Sequence, residues 1–132
     1  MIKRLSHACL GATDLQKTID FYCNLLGCQV IYEFKNPYGE LYGIFMLVKN
    51  GTFLEFFKEQ EPKPSGGLFR HLCFEVEDIN KWADLITEKG YNANVYRSDR
   101  DGAWQFWIED PDGNKIEFHQ YDAQSVQYIY SK

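Results

Sequence analysis

The stretch HACLGATDLQKTID (residues 7–20) recurs in the chain as HLCFEVEDINKWAD (residues 71–84), 64 positions later. Both stretches begin with a histidine, which is followed after two residues by a cysteine and after seven by an aspartate. Near the end of each copy the offset becomes 62, and GNKIEF (residues 113–118) lies over GTFLEF (residues 51–56). The sequence therefore predicts an internal duplication in which both copies have the same order of helices and strands.

The length and composition of the chain fit two half-size modules that share one core. At 132 residues the chain is long enough for one domain, whereas a module of roughly 60 residues buries surface poorly alone. Hydrophobic residues make up 45% and charged residues 25%, as in a globular protein. We expect a single domain over residues 1–132, with a first module at about 1–60, a linker at about 59–67, a second module at about 68–121 and a tail at 122–132.

The charge balance and the cysteines exclude several classes of protein. The net charge of −5 and a pI near 5.1 argue against nucleic acid as a partner, because clustered Lys and Arg dominate phosphate binding. The chain shows neither a signal peptide nor an apolar run of about 18 residues, so we expect a cytoplasmic protein with no membrane partner. The four cysteines lack a C-x-x-C spacing and are expected to be free thiols.

The first copy is predicted to fold as a βαβββ module. Its helix is expected from Thr13 to Leu26, opened by a capping box of Thr13 and Gln16 and ended by Gly27. The apolar stripe of this helix is Leu15, Ile19, Tyr22 and Leu26. The strands are predicted at about Lys3 to Leu10, Gln29 to Lys35, Tyr42 to Val48 and Thr52 to Lys58, with Asn50-Gly51 as a hairpin turn.

The second copy is predicted to repeat this order. Its helix is expected from an N-cap at Asp78 to Lys89, closed by Gly90. The strands are predicted at about Phe69 to Val76, Ala93 to Arg97, Trp104 to Glu109 and Lys115 to Tyr121. Asp110 to Gly113 (DPDG) is the predicted turn before the last strand.

Side-chain alternation along these strands groups polar residues into a candidate metal site. Each histidine shares a strand face with the cysteine two residues later. Glu55 is flanked on its own face by two phenylalanines, and a carboxylate in such surroundings is costly to bury unless it is paired or bound to a cation. The predicted ligands are two imidazoles and two carboxylates, a mixed set that suits a divalent first-row ion. They are His7, Glu55, His71 and Glu117.

The chain resembles the vicinal oxygen chelate superfamily, which includes the glyoxalase and bleomycin-resistance proteins. The opening from His7 to Gly27 and the ending from Glu109 to Phe118 (EDPDGNKIEF) carry this likeness. The resemblance implies an α+β fold in which two βαβββ modules form a curved, open, barrel-like mixed sheet. Within the superfamily, the pattern of glyoxalase I (lactoylglutathione lyase) is matched by His7, Glu55, His71 and Glu117.

The resemblance also implies a mechanism. A divalent ion binds two adjacent oxygens of a small α-oxo or α-hydroxy substrate, such as a thiol hemithioacetal, and stabilises the enediolate while a carboxylate moves a proton between carbons. Glu117 is predicted to be the base, and Glu55 the companion ligand or second base. The ion is nickel, zinc, cobalt, manganese or iron, since the ligand set accepts all of them. A homodimer is implied, and the site lies within one chain or is shared across that dimer.

Two positions depart from the bacterial glyoxalase I pattern. The residue four after the first histidine is typically an arginine there, and the residue four after the first glutamate an asparagine, and both serve glutathione. Here these positions hold Gly11 and Glu59. A glycine cannot pair a carboxylate and a glutamate would repel the anionic tripeptide, so the departure argues against glutathione as the thiol.

Several further side chains are candidates for secondary roles. His119 is a rival ligand or a partner that orients another ligand, because it lies two residues past Glu117. The candidates for lining a pocket are Cys9, Phe53, Phe57, Trp104, Phe106 and His119.

Two other functions remain open beside the lyase. One is a non-haem Fe(II) extradiol-type dioxygenase in which only His7, His71 and Glu117 hold the iron, although Glu55 would then fill a position that the substrate needs. The other is a metal-free, bleomycin-resistance-like protein that binds a small molecule. The complete set of four ligand residues argues against this third function.

Overall fold

The computed structural model describes residues 1–61 and 68–132. The chain divides at residue 67 into two compact units. The predicted linker falls largely on residues 62–67, which lie outside the described residues, and the grouping of both modules into one domain stays a prediction. No helix among the described residues combines the length and apolar character that are required to cross a membrane.

The first unit is a βαβββ module built on a four-stranded mixed sheet. Its strands are β1 (His7–Ala12), β2 (Gln29–Lys35), β3 (Leu41–Lys49) and β4 (Thr52–Lys58). They lie in the order β1-β4-β3-β2, with β1 parallel to β4 and the other pairs antiparallel. The predicted Asn50-Gly51 turn is confirmed, because these residues have φ angles of 51° and 74° as a tight two-residue hairpin requires. The first strand begins at His7 rather than at Lys3.

The helix of the first unit corrects two expectations. Helix α1 (Leu15–Ile19) continues as a π-helical segment over Asp20–Leu25. Its N-cap is Asp14 rather than Thr13, since the Asp14 carboxylate accepts the backbone N–H of Lys17 at 3.1 Å. The wider π turn places both Phe21 and Tyr22 in the core, with 3% and 0% exposure. The apolar stripe predicted for a regular helix with 3.6 residues per turn included Tyr22 but not Phe21.

The second unit repeats the architecture of the first. It contains β5 (His71–Glu75), α2 (Ile79–Glu88), β6 (Tyr96–Arg97), β7 (Trp104–Glu109) and β8 (Lys115–Gln120). The sheet order is β5-β8-β7-β6, with β5 parallel to β8. Asp78 caps α2 as predicted, through a 3.1 Å bond from the Lys81 N–H. Strand β6 has two residues where five were predicted, and β5 is shorter than predicted at both ends.

Each unit packs its helix against one face of its sheet. The buried side chains of the first sheet, all at most 3% exposed, are Ile44, Met46, Leu54 and Phe56. In the second sheet Phe106 and Phe118 stack at 4.5 Å between ring centroids, and Trp82 of α2 lies over Phe118 at 6.0 Å. The predicted α+β class with two βαβββ modules is confirmed. The opposite face of each sheet carries the candidate ligands.

The tail packs on a loop of its own unit. The Val126 N–H donates to the Asp101 carbonyl at 2.9 Å, and the Gln127 amide donates to the Asp101 carboxylate at 2.8 Å. The Arg97 guanidinium donates two hydrogen bonds to Asp122, at 3.1 and 2.5 Å. These bonds are the main cause that lowers the pKa of Asp122 to about 2.

Replacement of Asp122 should therefore change the acid sensitivity of the fold. A carboxyl group whose pKa is lower in the folded state stabilises fully above its ordinary value of 3.8, and this stabilisation disappears as the pH falls toward 2. We expect Asp122→Asn to unfold at a lower urea concentration than the parent at pH 7, with a difference that shrinks below pH 4. Asp99→Asn, in the preceding loop, is the control. A difference that persists at pH 2 would contradict this assignment.

Candidate metal centre

The two sheets present their candidate ligands in the same register. In the first sheet Cys9 of β1 lies opposite Glu55 of β4. In the second sheet Cys73 of β5 lies opposite Glu117 of β8. The duplication that the sequence predicted thus extends to strand pairing, because the histidine, cysteine and glutamate occupy equivalent positions in both sheets.

In the first unit the candidate ligands lie on an aromatic sheet face. The imidazole of His7 meets the ring of Phe45 edge to face at 5.5 Å, and Phe45 is the cross-strand partner of Glu55. Phe45 also stacks on Phe53 at 5.2 Å. The Glu55 carboxylate is half-buried, and Glu55 is the cross-strand partner of Cys9.

In the second unit Glu117 lies between two imidazoles. Oε2 of Glu117 is 3.1 Å from Nε2 of His71, and Oε1 is 2.7 Å from Nε2 of His119. Glu117 and His119 are each only 6% exposed. The thiol of Cys73 completes a cluster with Glu117 and His119, in which one ligand atom from each residue lies within 4.8 Å of the others. The sequence treated His119 as secondary, but the structure places it in contact with Glu117.

Nε2 of His119 and Oε1 of Glu117 are close, but they do not have the geometry of an aligned hydrogen bond. Nε2 of His119 is buried and has no aligned hydrogen-bond partner among the described residues. Its other nitrogen, Nδ1, lies 3.3 Å from the hydroxyl of Tyr121. A buried imidazole nitrogen beside a carboxylate fits a cation site, since a cation can approach these atoms without breaking an aligned hydrogen bond of Nε2.

The thiols of the two cross-strand cysteines have raised pKa values. Cys73 is exposed as a whole residue, but desolvation of its thiol, followed by the charge of Glu117, raises its pKa to about 12. Burial, followed by the neighbouring Glu55 carboxylate, likewise raises the pKa of Cys9. A thiol with a raised pKa binds an ion only if the ion displaces its proton. The imidazoles and carboxylates fit a divalent first-row ion without that step.

The predicted pocket lining needs one correction. Phe106 is fully buried on the helix side of its sheet, opposite Phe118, and Trp104 lies on the same side. Trp107 instead pairs with Glu117, and its ring meets the His71 imidazole at 4.8 Å. The sequence placed the wrong alternate residues of β7 on the site face, because that choice depends on the register with β8.

The two positions that depart from the glyoxalase I pattern are neighbours in the structure. A Cβ atom added at Gly11 would lie 2.7 Å from Cγ of Glu59, so the Glu59 side chain lies against the Gly11 backbone. An arginine at position 11 would have to displace Glu59. This corner of the first sheet thus lacks the arginine of the bacterial glyoxalase I pattern.

Comparison with known proteins identifies the family. The model of the glyoxalase/bleomycin resistance protein/dioxygenase superfamily matches residues 4–118. The chain therefore belongs to this superfamily, and the predicted resemblance is confirmed.

Individual relatives carry different names. The chain is 31% identical to a lactoylglutathione lyase of Neisseria meningitidis serogroup A over 126 residues, which cover 89% of this chain and 90% of the relative. It is 32% identical to an ethylmalonyl-CoA/methylmalonyl-CoA epimerase of Cereibacter sphaeroides, over 68% of this chain and 73% of the relative. The crystal structure of a glyoxalase family protein from Enterococcus faecalis superposes with a TM-score of 0.75 and 28% identity, covering 89% of this chain and 97% of that one.

Proposed function

We propose that the chain is a divalent-metal-dependent lyase or isomerase of the glyoxalase I type. Its substrate is a small α-oxo or α-hydroxy compound, such as a thiol hemithioacetal. The observation that carries this proposal is the position of Glu117, a buried carboxylate between His71 and His119, in a chain whose other half has a histidine and a glutamate in the same register.

Four residues are proposed as the metal ligands, one histidine and one glutamate from each unit. They are His7, Glu55, His71 and Glu117. The imidazole and carboxylate donors suit nickel, zinc, cobalt, manganese or iron. When bound, the ion supplies Lewis acidity that polarises the carbonyl of the substrate.

The residues of the chain then account for the proton transfer. Glu117 is proposed as the carboxylate that takes the proton from the carbon next to the carbonyl and returns it to the neighbouring carbon, while a hydroxyl proton moves between the two oxygens. Glu55 is proposed as the companion ligand or second base. Atoms and electrons balance without any co-reactant, so the net reaction is an isomerisation. Aromatic rings border Glu55, since Phe45 lies across from it and stacks on Phe53.

The thiol part of the substrate is proposed to differ from glutathione. Gly11 provides no cation, and the Glu59 side chain occupies the adjacent space. The relatives named lactoylglutathione lyase support the reaction type, while the relative named as an epimerase shows that similar chains carry other names.

A screen of metal-reconstituted protein tests this function. Hemithioacetals of methylglyoxal with several thiols, glutathione among them, should be converted to thioesters, and at least one other thiol should exceed glutathione in kcat/KM. Elemental analysis should find about one divalent ion per chain. The proposal fails if no ion binds, or if no hemithioacetal is converted by protein that does hold an ion.

An Fe(II) extradiol-type dioxygenase is the second candidate. The observation in its favour is that His71 already contacts Glu117, which supplies two of the three ligands of a two-histidine, one-carboxylate iron site. Oxygen uptake with catechols after anaerobic iron loading would support it. A metal-free binding protein would be supported instead by ligand binding without any ion.

A further inference from the structure

The first unit carries a cluster of aromatic side chains on the sheet face that also presents Glu55. The rings of Phe34 and Phe57 are 5.1 Å apart between centroids, and Tyr42 stacks on Phe57 at 6.1 Å with 17° between the ring planes. Tyr32 extends this aromatic cluster, with its centroid 4.9 Å from that of Phe34. Tyr42 is 44% and Tyr32 60% exposed, so the aromatic cluster is open to solvent.

Two glycines flank Phe57 across the sheet. Phe57 pairs with Gly11 of β1 on one side and with Gly43 of β3 on the other. A Cβ atom at Gly43 would lie 2.5 Å from Cδ1 of Phe57, so the phenyl ring lies over the Gly43 backbone. A Cβ atom at Gly11 would lie 3.6 Å from Oε1 of Glu59, so the Glu59 carboxylate lies over the other glycine. One row of the sheet therefore carries a carboxylate next to the position of an aromatic ring.

The charges next to the aromatic cluster are negative. Glu55 precedes Phe57 by two residues on the same face of β4, and Glu59 follows it by two. Lys58 directly follows Phe57, so strand alternation turns it to the opposite face. Lys35, at the end of β2, forms an exposed ion pair with a glutamate of the same strand at 3.3 Å. The surroundings of the aromatic cluster therefore favour a positively charged ligand over an anion.

The second unit shows that the fold does not need aromatic rings and glycines at these positions. The equivalent row of its sheet contains mainly polar side chains, and a glutamine amide there donates a hydrogen bond to a tyrosine hydroxyl at 2.6 Å. Strand pairing by itself thus does not account for the rings of the first unit. The two rows are Gly11, Phe57, Gly43 and Phe34 in the first unit and Glu75, His119, Gln105 and Tyr96 in the second.

We propose that the aromatic cluster of the first unit binds an organic ammonium group, and that this group belongs to the thiol part of the substrate. Only the second half of this inference rests on the proposed function. The negative faces of aromatic rings attract an ammonium ion, and Glu55 and Glu59 add the attraction of two carboxylates. A neutral group of the same shape gains neither attraction, and the anionic groups of glutathione are repelled by the carboxylates.

An NMR titration of the metal-free protein tests the ammonium site. Choline is compared with 3,3-dimethyl-1-butanol, a neutral molecule of the same shape. We expect choline to shift the backbone amide signals of Gly11, Gly43 and Phe57, and to bind about fivefold or more tightly than the neutral alcohol, since rings and carboxylates both contribute. The site is overturned if choline shifts none of these signals, or if the alcohol binds equally well.

Substitutions separate the contributions of ring and charge. Tyr42→Leu removes an exposed ring, Glu59→Gln removes a charge at nearly constant shape, and each should weaken choline binding by about two- to fivefold. Glu33→Gln is the matched control, because Glu33 precedes Phe34 and so lies on the opposite face of β2. The dispersion of the amide signals verifies that each variant folds. Choline affinity that is unchanged in both Tyr42→Leu and Glu59→Gln would also overturn the site.

Turnover tests the assignment of the ammonium group to the substrate. In the metal-reconstituted protein, the methylglyoxal hemithioacetal of thiocholine should exceed that of 3,3-dimethyl-1-butanethiol in kcat/KM by about fivefold or more, and Glu59→Gln should reduce this preference. If both hemithioacetals are converted equally well, the assignment fails and the proposed function stands. If protein that holds an ion converts no hemithioacetal, the proposed function and the assignment fail together, while the choline titration still decides the ammonium site.

Discussion

Glu117→Gln should reduce kcat by about 10²- to 10⁴-fold, the range expected when a general base is removed, while KM changes little. The amide has nearly the same shape as the carboxylate but cannot accept the proton. Because the amide oxygen of glutamine can still coordinate a cation, the ion should still bind, and we expect a smaller loss of Co²⁺ affinity than His71→Ala causes. The measurements are steady-state kinetics at saturating metal and a Co²⁺ titration.

The repeat-related change Glu55→Gln is the matched control. It should reduce kcat less than the change at position 117, because Glu55 is proposed as the companion ligand. Glu33→Gln, on an exposed strand where Glu33 pairs with Lys35 at 3.3 Å, should leave kcat and Co²⁺ affinity unchanged. If Glu55→Gln instead loses turnover at saturating metal while Glu117→Gln retains it, Glu55 is the base.

His7→Ala and His71→Ala should each weaken Co²⁺ binding by about 100-fold or more, because the loss of a direct ligand exceeds the 10- to 100-fold effect of losing a partner behind it. The change at position 7 removes the imidazole of the first unit, and the change at position 71 removes that of the second. Chelation of the metal should abolish turnover. It should also lower the unfolding free energy by about 2.7 kcal/mol when the free ion had been present at roughly 100 times its Kd.

A comparison of the two histidine variants decides which residues bind the ion. Similar losses in both support ligands from both units. A loss in His71→Ala with normal binding in His7→Ala would contradict the four-ligand proposal, and would assign the ion to the second unit with Glu117 and His119. Lys35→Ala, which removes an exposed ion pair, is the control for general effects on stability.

The sequence predicts the N-cap of a helix correctly where only one residue of a capping type precedes the helix. The second helix has its N-cap at Asp78 as predicted, since neither Val76 nor Glu77 before it is a capping residue type. In the first helix Thr13 and Asp14 are both capping residues, and the sequence favoured the wrong one of the two. The 64-residue offset pairs Asp14 with Asp78, so a comparison of the two copies indicates Asp14 as the N-cap of the first helix.

The sequence by itself determined the order of the elements, the duplication and the four candidate ligands, because hydrophobic periodicity, turn residues and repeats are properties of neighbouring positions. The tertiary structure decided which side chains meet. The position of Trp107 beside His71 depends on the register of β7 with β8, and the contact of His119 with Glu117 depends on the rotamers of two buried side chains. Strand register and buried rotamers are set by packing between distant segments, which local sequence does not encode.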